Sequence, residues 1–187
     1  TAICGQIMVP QNWSEPDGTE IPIAYMVLRN TSLAPLQDPV IYFQGGRGGA
    51  TLNSLAQIRS GVEALRASRD IILFDQRGTG YSNELYCPVD ILDVNPETHE
   101  EDIAAAQARF DEAEIGAFSD PDEVYAALLD HNSPVDLSRC LPLFAEQGIE
   151  LEQYSTASTV ADSIAVMEHL GYPAYNLFGG SYGTKVV

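Results

Sequence analysis

The sequence is poor in positive charge. Its 187 residues hold nine lysines and arginines against 27 aspartates and glutamates, a formal net charge of −18. Nucleic acid phosphates and anionic membrane surfaces both repel such a chain, so neither is expected as a partner. The acidity fits a protein outside the cytoplasm or one from a salty environment. Long hydrophobic runs are missing too. No stretch of 18 apolar residues occurs, so no membrane-spanning helix is expected. No basic stretch followed by an apolar one opens the chain, so a signal peptide is expected to be absent or already removed. Histidine is scarce: His99, His131 and His169 are scattered without metal-ligand spacing, and neither a metal nor a cofactor is expected. The three cysteines, Cys4, Cys87 and Cys140, form neither a zinc knuckle nor a C-x-x-C pair. What is abundant is apolar residue, at 45%. That is enough to build the core of one domain, or of one domain with an insertion.

The chain opens as strand, turn, strand. Ile3 to Val9 and Ile21 to Leu28 are apolar runs, separated by the turn signal Glu15-Pro16-Asp17-Gly18. An antiparallel pair at a sheet edge is expected. Val40 to Phe43 and Ile71 to Phe74 are short continuous apolar runs, each ending in a glycine-bearing loop. Between them Asn53 to Ala67 has helical periodicity through Leu55, Ile58, Val62 and Leu65. Buried strands alternating with helices predict a parallel sheet covered on both faces.

From about 84 to 155 the alternation breaks. A helical excursion is expected there, with helices over Ile103 to Ile115 and Glu123 to Leu129. Cys87 and Cys140 lie near its two ends. A disulfide between them would staple its base; the alternative is two buried free thiols. The alternation then resumes. A helix capped by Thr156 or Ser158 runs to Leu170, with Ile164, Met167 and Leu170 on one face and Gly171 at its end. Tyr175 to Phe178 is a last short strand.

That strand leads into Gly179-Gly180-Ser181-Tyr182-Gly183, a G-x-S-x-G pattern between a strand and an apparent helix start. Such a turn holds a serine in a strained conformation, with its oxygen projecting above the sheet and the next N–H aimed at an oxyanion. A phosphate loop is the rival reading. It needs Gly before Lys185 and Ser or Thr after it, where the chain has Thr184 and Val186. The stretch Gly45-Gly46-Arg47-Gly48-Gly49 follows an earlier strand and is placed to supply a second oxyanion donor, worth roughly 3 kcal/mol of transition-state stabilisation.

Three ordered segments carry a family resemblance: Gln44 to Gly49, Asp75-Gln76-Arg77-Gly78-Thr79-Gly80-Tyr81-Ser82, and Gly179 to Thr184. Together they resemble the α/β-hydrolases of the proline iminopeptidase and tripeptidyl aminopeptidase group. Cys4, Val9-Pro10 and Pro16-Asp17-Gly18 are similar to the secreted tripeptidyl-aminopeptidase branch. Arg47 stands where the family usually has proline, which would put a positive charge at the mouth of the site. The resemblance implies an α/β fold: antiparallel edge strands, then parallel strands with helices on both faces. It implies Ser181 as nucleophile, and backbone N–H groups of Tyr182 and of Gly45 or Gly46 as oxyanion donors. Asp75, Arg77 and Ser82 match a motif taken as structural.

A serine nucleophile also needs a histidine base and an orienting carboxylate, which in this fold follow the serine. None of the six residues after Ser181 is Asp, Glu or His. His169 should lie on the order of 15 Å away, across the last strand. Residues 1–187 are therefore expected to be the N-terminal portion of a larger hydrolase, inactive alone, with a complementary C-terminal chain or segment supplying the triad partners. The expected activity is acyl transfer by a serine hydrolase, through an aminopeptidase acting on peptide N-termini. A small ester or amide substrate, or a non-catalytic binding protein on the same core, are the alternatives. The expected location is secreted or periplasmic.

Overall fold

The computed structural model describes residues 2–46, 48–86 and 140–187. The chain divides into two compact units, residues 1–85 with 149–187, and residues 86–148. The expected helices over 103–115 and 123–129 lie outside the described residues.

The larger unit is built on a five-stranded sheet. Its strands are β1 (Ala2–Pro10), β2 (Glu20–Leu28), β3 (Val40–Phe43), β4 (Ile71–Phe74) and β5 (Asn176–Gly179), in the spatial order β1-β2-β4-β3-β5. β1 and β2 pair antiparallel from Ala2 with Leu28 to Pro10 with Glu20. The turn between them is closed by Gln11 N–H to the Thr19 carbonyl at 2.7 Å and Gly18 N–H to the Glu15 carbonyl at 2.9 Å. β2 runs antiparallel to β4, whereas β4, β3 and β5 are parallel. β5 stands at the edge opposite β1.

Strand alternation divides the core into two layers. Ile41, Phe43, Ile72 and Phe74 face one side and pack with Ile23, Val166 and Met167. Val40, Ile71 and Leu73 face the other and pack with Val62. All four residues of β4 are completely buried, as a strand covered on both faces requires. Phe43 and Phe74 meet edge to face, with ring centroids 5.5 Å apart.

The second layer is covered by helix α1 (Leu55–Arg66), whose Leu55, Ile58, Val62 and Leu65 lie against the sheet. These are the residues at which the sequence shows helical periodicity. In the smaller unit the described helix is α2 (Cys140–Glu146), with Cys140 and Phe144 buried. Cys4, on β1, is an exposed free thiol.

The first layer is covered by α3 (Thr156–His169), and here the structure corrects two details of the sequence reading. The N-cap is Ser155, not Thr156 or Ser158: its backbone is extended and its hydroxyl accepts the Ser158 N–H at 3.2 Å. The buried face is Ser158, Thr159, Asp162, Ser163, Val166 and Met167, and Ile164 points outward at 42% exposure. The helix ends as glycine at 171 predicts. Gly171 takes φ +75°, its N–H reaches the Glu168 carbonyl, and Tyr172 N–H reaches the Met167 carbonyl, a Schellman closure.

Candidate active site

Two loops and one turn meet at the carboxyl ends of the parallel strands. The turn follows β5. Ser181 has φ +51°, one of two described non-glycine residues with positive φ. L-residues avoid that region because Cβ crowds the following carbonyl. The chain accepts it because neighbouring glycines let the backbone fold back tightly. A Cβ on Gly179 would meet the Gly183 carbonyl oxygen at 2.6 Å, and one on Gly183 would run into the Phe43 carbonyl oxygen of β3. Gly183 N–H donates to the Gly180 carbonyl at 2.8 Å, and Thr184 Oγ1 donates to the Ser181 carbonyl at 2.6 Å. A 3₁₀ turn over Ser181–Lys185 follows instead of the expected α-helical start. Its i→i+3 bonds include Val186 N–H to the Gly183 carbonyl at 3.1 Å. Ser181 itself is exposed, just past the end of β5.

The first loop follows β3. A Cβ on Gly45 would sit 2.7 Å from the Gly180 oxygen and 3.0 Å from Ser181 Cβ. Gly45 therefore lies directly against the serine. Gly46 has φ +78°, with open space where its Cβ would be. Arg47 lies outside the described residues. Gln44 is held from two sides: Tyr42 Oη donates to its Oε1 at 2.9 Å, and Gln76 Nε2 donates to its carbonyl at 3.2 Å.

The second loop follows β4 and carries Asp75 to Ser82. Asp75 is fully buried and joins the two loops: its Oδ1 accepts Leu52 N–H at 2.8 Å and its Oδ2 accepts Tyr81 N–H at 2.9 Å. Its own N–H reaches back to Ala24 in β2 at 3.0 Å. Gly80 must lack a side chain, because a Cβ there would collide with the Asp75 carboxylate. Ser82 Oγ accepts Ala24 N–H at 2.9 Å, and Ser82 and Thr79 bridge across the loop.

Arg77 turns inward. Its Nε and NH2 donate to the two oxygens of Asp162 on α3, at 2.7 and 2.6 Å. Its NH1 donates to the Gln11 and Gln153 carbonyls at 2.7 and 2.9 Å. Trp13 Nε1 adds a bond to Asp162 Oδ1 at 3.0 Å. Burial pushes the Asp162 carboxyl above the ordinary aspartate range, with Arg77 and Trp13 pulling the other way. Asp162 and Trp13 are site-supporting residues that the sequence reading passed over. A lone aspartate four residues before Val166 looks like a solvated helix position until its partner is known.

Beside the turn, Tyr182 Oη and Thr156 Oγ1 lie 2.8 Å apart. A cavity of about 370 Å³ opens here, lined by Gly48, Gln76, Tyr154, Thr156 and Tyr182 among others. Burial raises the Tyr154 pKa, and Asn83 Nδ2, donating to its hydroxyl at 2.7 Å, opposes the rise.

The structure brings Ser181, Gly45 and Tyr182 together, supported by Asp75, Arg77 and Ser82. The ring of His169, expected away from the serine, packs on Tyr25 of β2, with centroids 5.9 Å apart. His99 and His131 lie outside the described residues, as does Cys87, the partner expected for the buried Cys140. Among the described residues, no cluster of three His, Cys, Asp or Glu is arranged to hold a metal, and no helix is long and apolar enough to cross a membrane.

A mixed sheet with an apolar parallel centre, a strained serine after an edge strand and a glycine loop beside it define a hydrolase-type α/β domain. Residues 38–187 match the family described as alpha/beta hydrolase fold, and the chain belongs to that family. It is similar to the tripeptidyl aminopeptidases of Streptomyces lividans and Streptomyces coelicolor, at 29% identity over 97% of its length in each case. It spans 31% and 30% of those relatives, under a third of their length. The proline iminopeptidase structure of Mycobacterium smegmatis aligns with 97% of the chain at 17% identity and a TM-score of 0.47, covering 37% of that protein.

Proposed function

We propose that this chain carries the nucleophile of a serine peptidase of the aminopeptidase type. The observation behind this reading is Ser181 at φ +51°, pressed against Gly45. A non-glycine residue persists in that region only where its surroundings hold it, and such strain gathers at reacting groups. Ser181 Oγ attacks the substrate carbonyl carbon and loses its proton to a base. The Tyr182 N–H and the Gly45 or Gly46 N–H bind the oxyanion, and the protonated base passes its proton to the leaving amine as the acyl-enzyme forms. The base and its orienting carboxylate come from a complementary C-terminal chain or segment of the same hydrolase, and residues 1–187 alone are inactive.

Peptide N-termini as substrate rest on the names of the Streptomyces relatives. A Cys87–Cys140 disulfide, which would tie down the start of α2, and the acidic surface charge support a secreted or periplasmic location.

The test is fluorophosphonate labelling of the intact protein and of its Ser181→Ala variant, followed by peptide cleavage. Labelling mapped to Ser181, lost in the variant, with cleavage of peptides bearing a free but not an acetylated N-terminus, is the expected result. Labelling with turnover of p-nitrophenyl esters and no peptide cleavage identifies an esterase instead. No labelling of the intact protein leaves a binding protein on a hydrolase core.

A further inference from the structure

We infer that Thr156 is a positioning residue for the oxyanion site, acting through the side chain of Tyr182. The inference rests on the reading of Ser181 as nucleophile and adds a residue to it. Tyr182 carries two functions at opposite ends. Its backbone N–H belongs to the peptide just after the serine, where the oxyanion donor must lie. Its phenol oxygen lies 2.8 Å from Thr156 Oγ1, at the first residue of α3.

The Thr156 hydroxyl is not needed to cap its own helix. Ser155 does that, accepting the Ser158 N–H at 3.2 Å and pairing with the Ser158 hydroxyl at 3.0 Å. The helix it stands on is itself anchored. Val166 and Met167 are fully buried beneath the sheet, and Asp162 is locked to Arg77 by two short bonds. A bond from Tyr182 to Thr156 therefore ties the turn to a helix that is itself held by buried side chains and an ion pair.

The turn needs such a reference. Ser181 sits in a conformation that L-residues leave when they can. The Gly183-to-Gly180 and Thr184-to-Ser181 hydrogen bonds are internal and move with the turn. Gly180 N–H to the Phe43 carbonyl at 3.3 Å, and Gly183 packed on that same carbonyl, hold it against β3 on one side. The Tyr182 side chain holds it to α3 on the other. Two anchors on different elements prevent the Ser181–Tyr182 peptide from rotating. Oxyanion donors act only within a few tenths of an ångström of their working distance, so a loosened peptide loses rate and not binding.

The experiment uses the intact protein and p-nitrophenyl acetate as the probe substrate, with fluorophosphonate labelling of the wild type as a control. Thr156→Val keeps the volume and removes the hydroxyl. Its kcat should fall about tenfold with KM and Tm unchanged. Thr156→Ser should restore the rate. Tyr182→Phe should match Thr156→Val, and the double variant should be no slower than either single one. Equal rates in Thr156→Val and wild type overturn the inference, as do additive losses in the double variant or losses that follow Tm across the set. A wild type that fluorophosphonate does not label overturns the nucleophile reading itself, and this inference with it.

Discussion

Arg77 and Asp162 stand 85 residues apart in sequence and form a two-pronged ion pair that is almost wholly removed from water, with side-chain exposures of 1% and 0%. The pair joins the loop after β4 to α3. Through the Arg77 bonds to the Gln11 and Gln153 carbonyls it also gathers the end of β1 and the approach to α3. Arg77 also lines the cavity beside the serine turn.

Removing one member of this pair should be far worse than removing both. Arg77→Met or Asp162→Leu alone leaves a buried charge without its counterpart, and each should cost about 3–5 kcal/mol. The double variant should be much less destabilised than the two losses added together. Urea denaturation of the four proteins measures the coupling. Additive losses would mean that the pair is not the organising contact described here.

The glycine loop separates two candidate oxyanion donors. Gly45→Ala places a methyl 2.7 Å from the Gly180 oxygen and must push the serine turn away. Labelling of Ser181 should be abolished. Gly46→Ala meets open space and pays only for its positive φ, about 1 kcal/mol. It should be labelled at close to the wild-type rate. The reverse order would make Gly46 the residue in contact with the serine.

Asp75 holds two backbone N–H groups from different loops. Asp75→Ala leaves the Leu52 and Tyr81 N–H groups without their acceptor in a partly buried place, which should cost about 1–3 kcal/mol. Proteolysis in the native state should then nick the segments near residues 50 and 80 faster than the strands.

Asp70 gives the domain a pH dependence. Burial works against its ionisation, but Asn30 N–H, the Arg29 guanidinium, the Asn30 amide and the Tyr172 hydroxyl outweigh that and lower its pKa. A folded-state pKa below the unfolded value of about 3.9 stabilises the fold above that value. The contribution is lost as pH falls through the folded pKa. Wild type and Asp70→Asn should therefore differ most in stability above pH ~4 and converge in stronger acid. A difference that widens on acidification contradicts this assignment.

Much of the sheet is legible because its physics is local. The runs Val40 to Phe43 and Ile71 to Phe74 are apolar at every position, as strands buried on both faces must be. The turn at Gly179 to Gly183 is legible for a similar reason: its glycines answer steric demands only a few residues away, apart from the Phe43 carbonyl. The buried face of α3 is not legible. Ser158, Thr159, Asp162 and Ser163 look like a solvated stripe, and Ile164 attracts the eye instead. They are buried because their polar atoms are satisfied at close range or by a distant partner. Thr159 and Ser163 hydroxyls donate to the carbonyls of Ser155 and Val160, and Asp162 receives Arg77.

The sequence by itself determined the alternation of strand and helix, the place of the strained serine, and the glycines that make its turn possible. These follow from side-chain periodicity and backbone sterics, which act over a few residues. Only the tertiary structure decided the order β1-β2-β4-β3-β5, the choice of Gly45 as the glycine that touches Ser181, and the joining of Arg77 to Asp162 and of Tyr182 to Thr156. Each of these is a contact between residues tens of positions apart. Its strength depends on burial and on distance, and neither exists until the chain has folded.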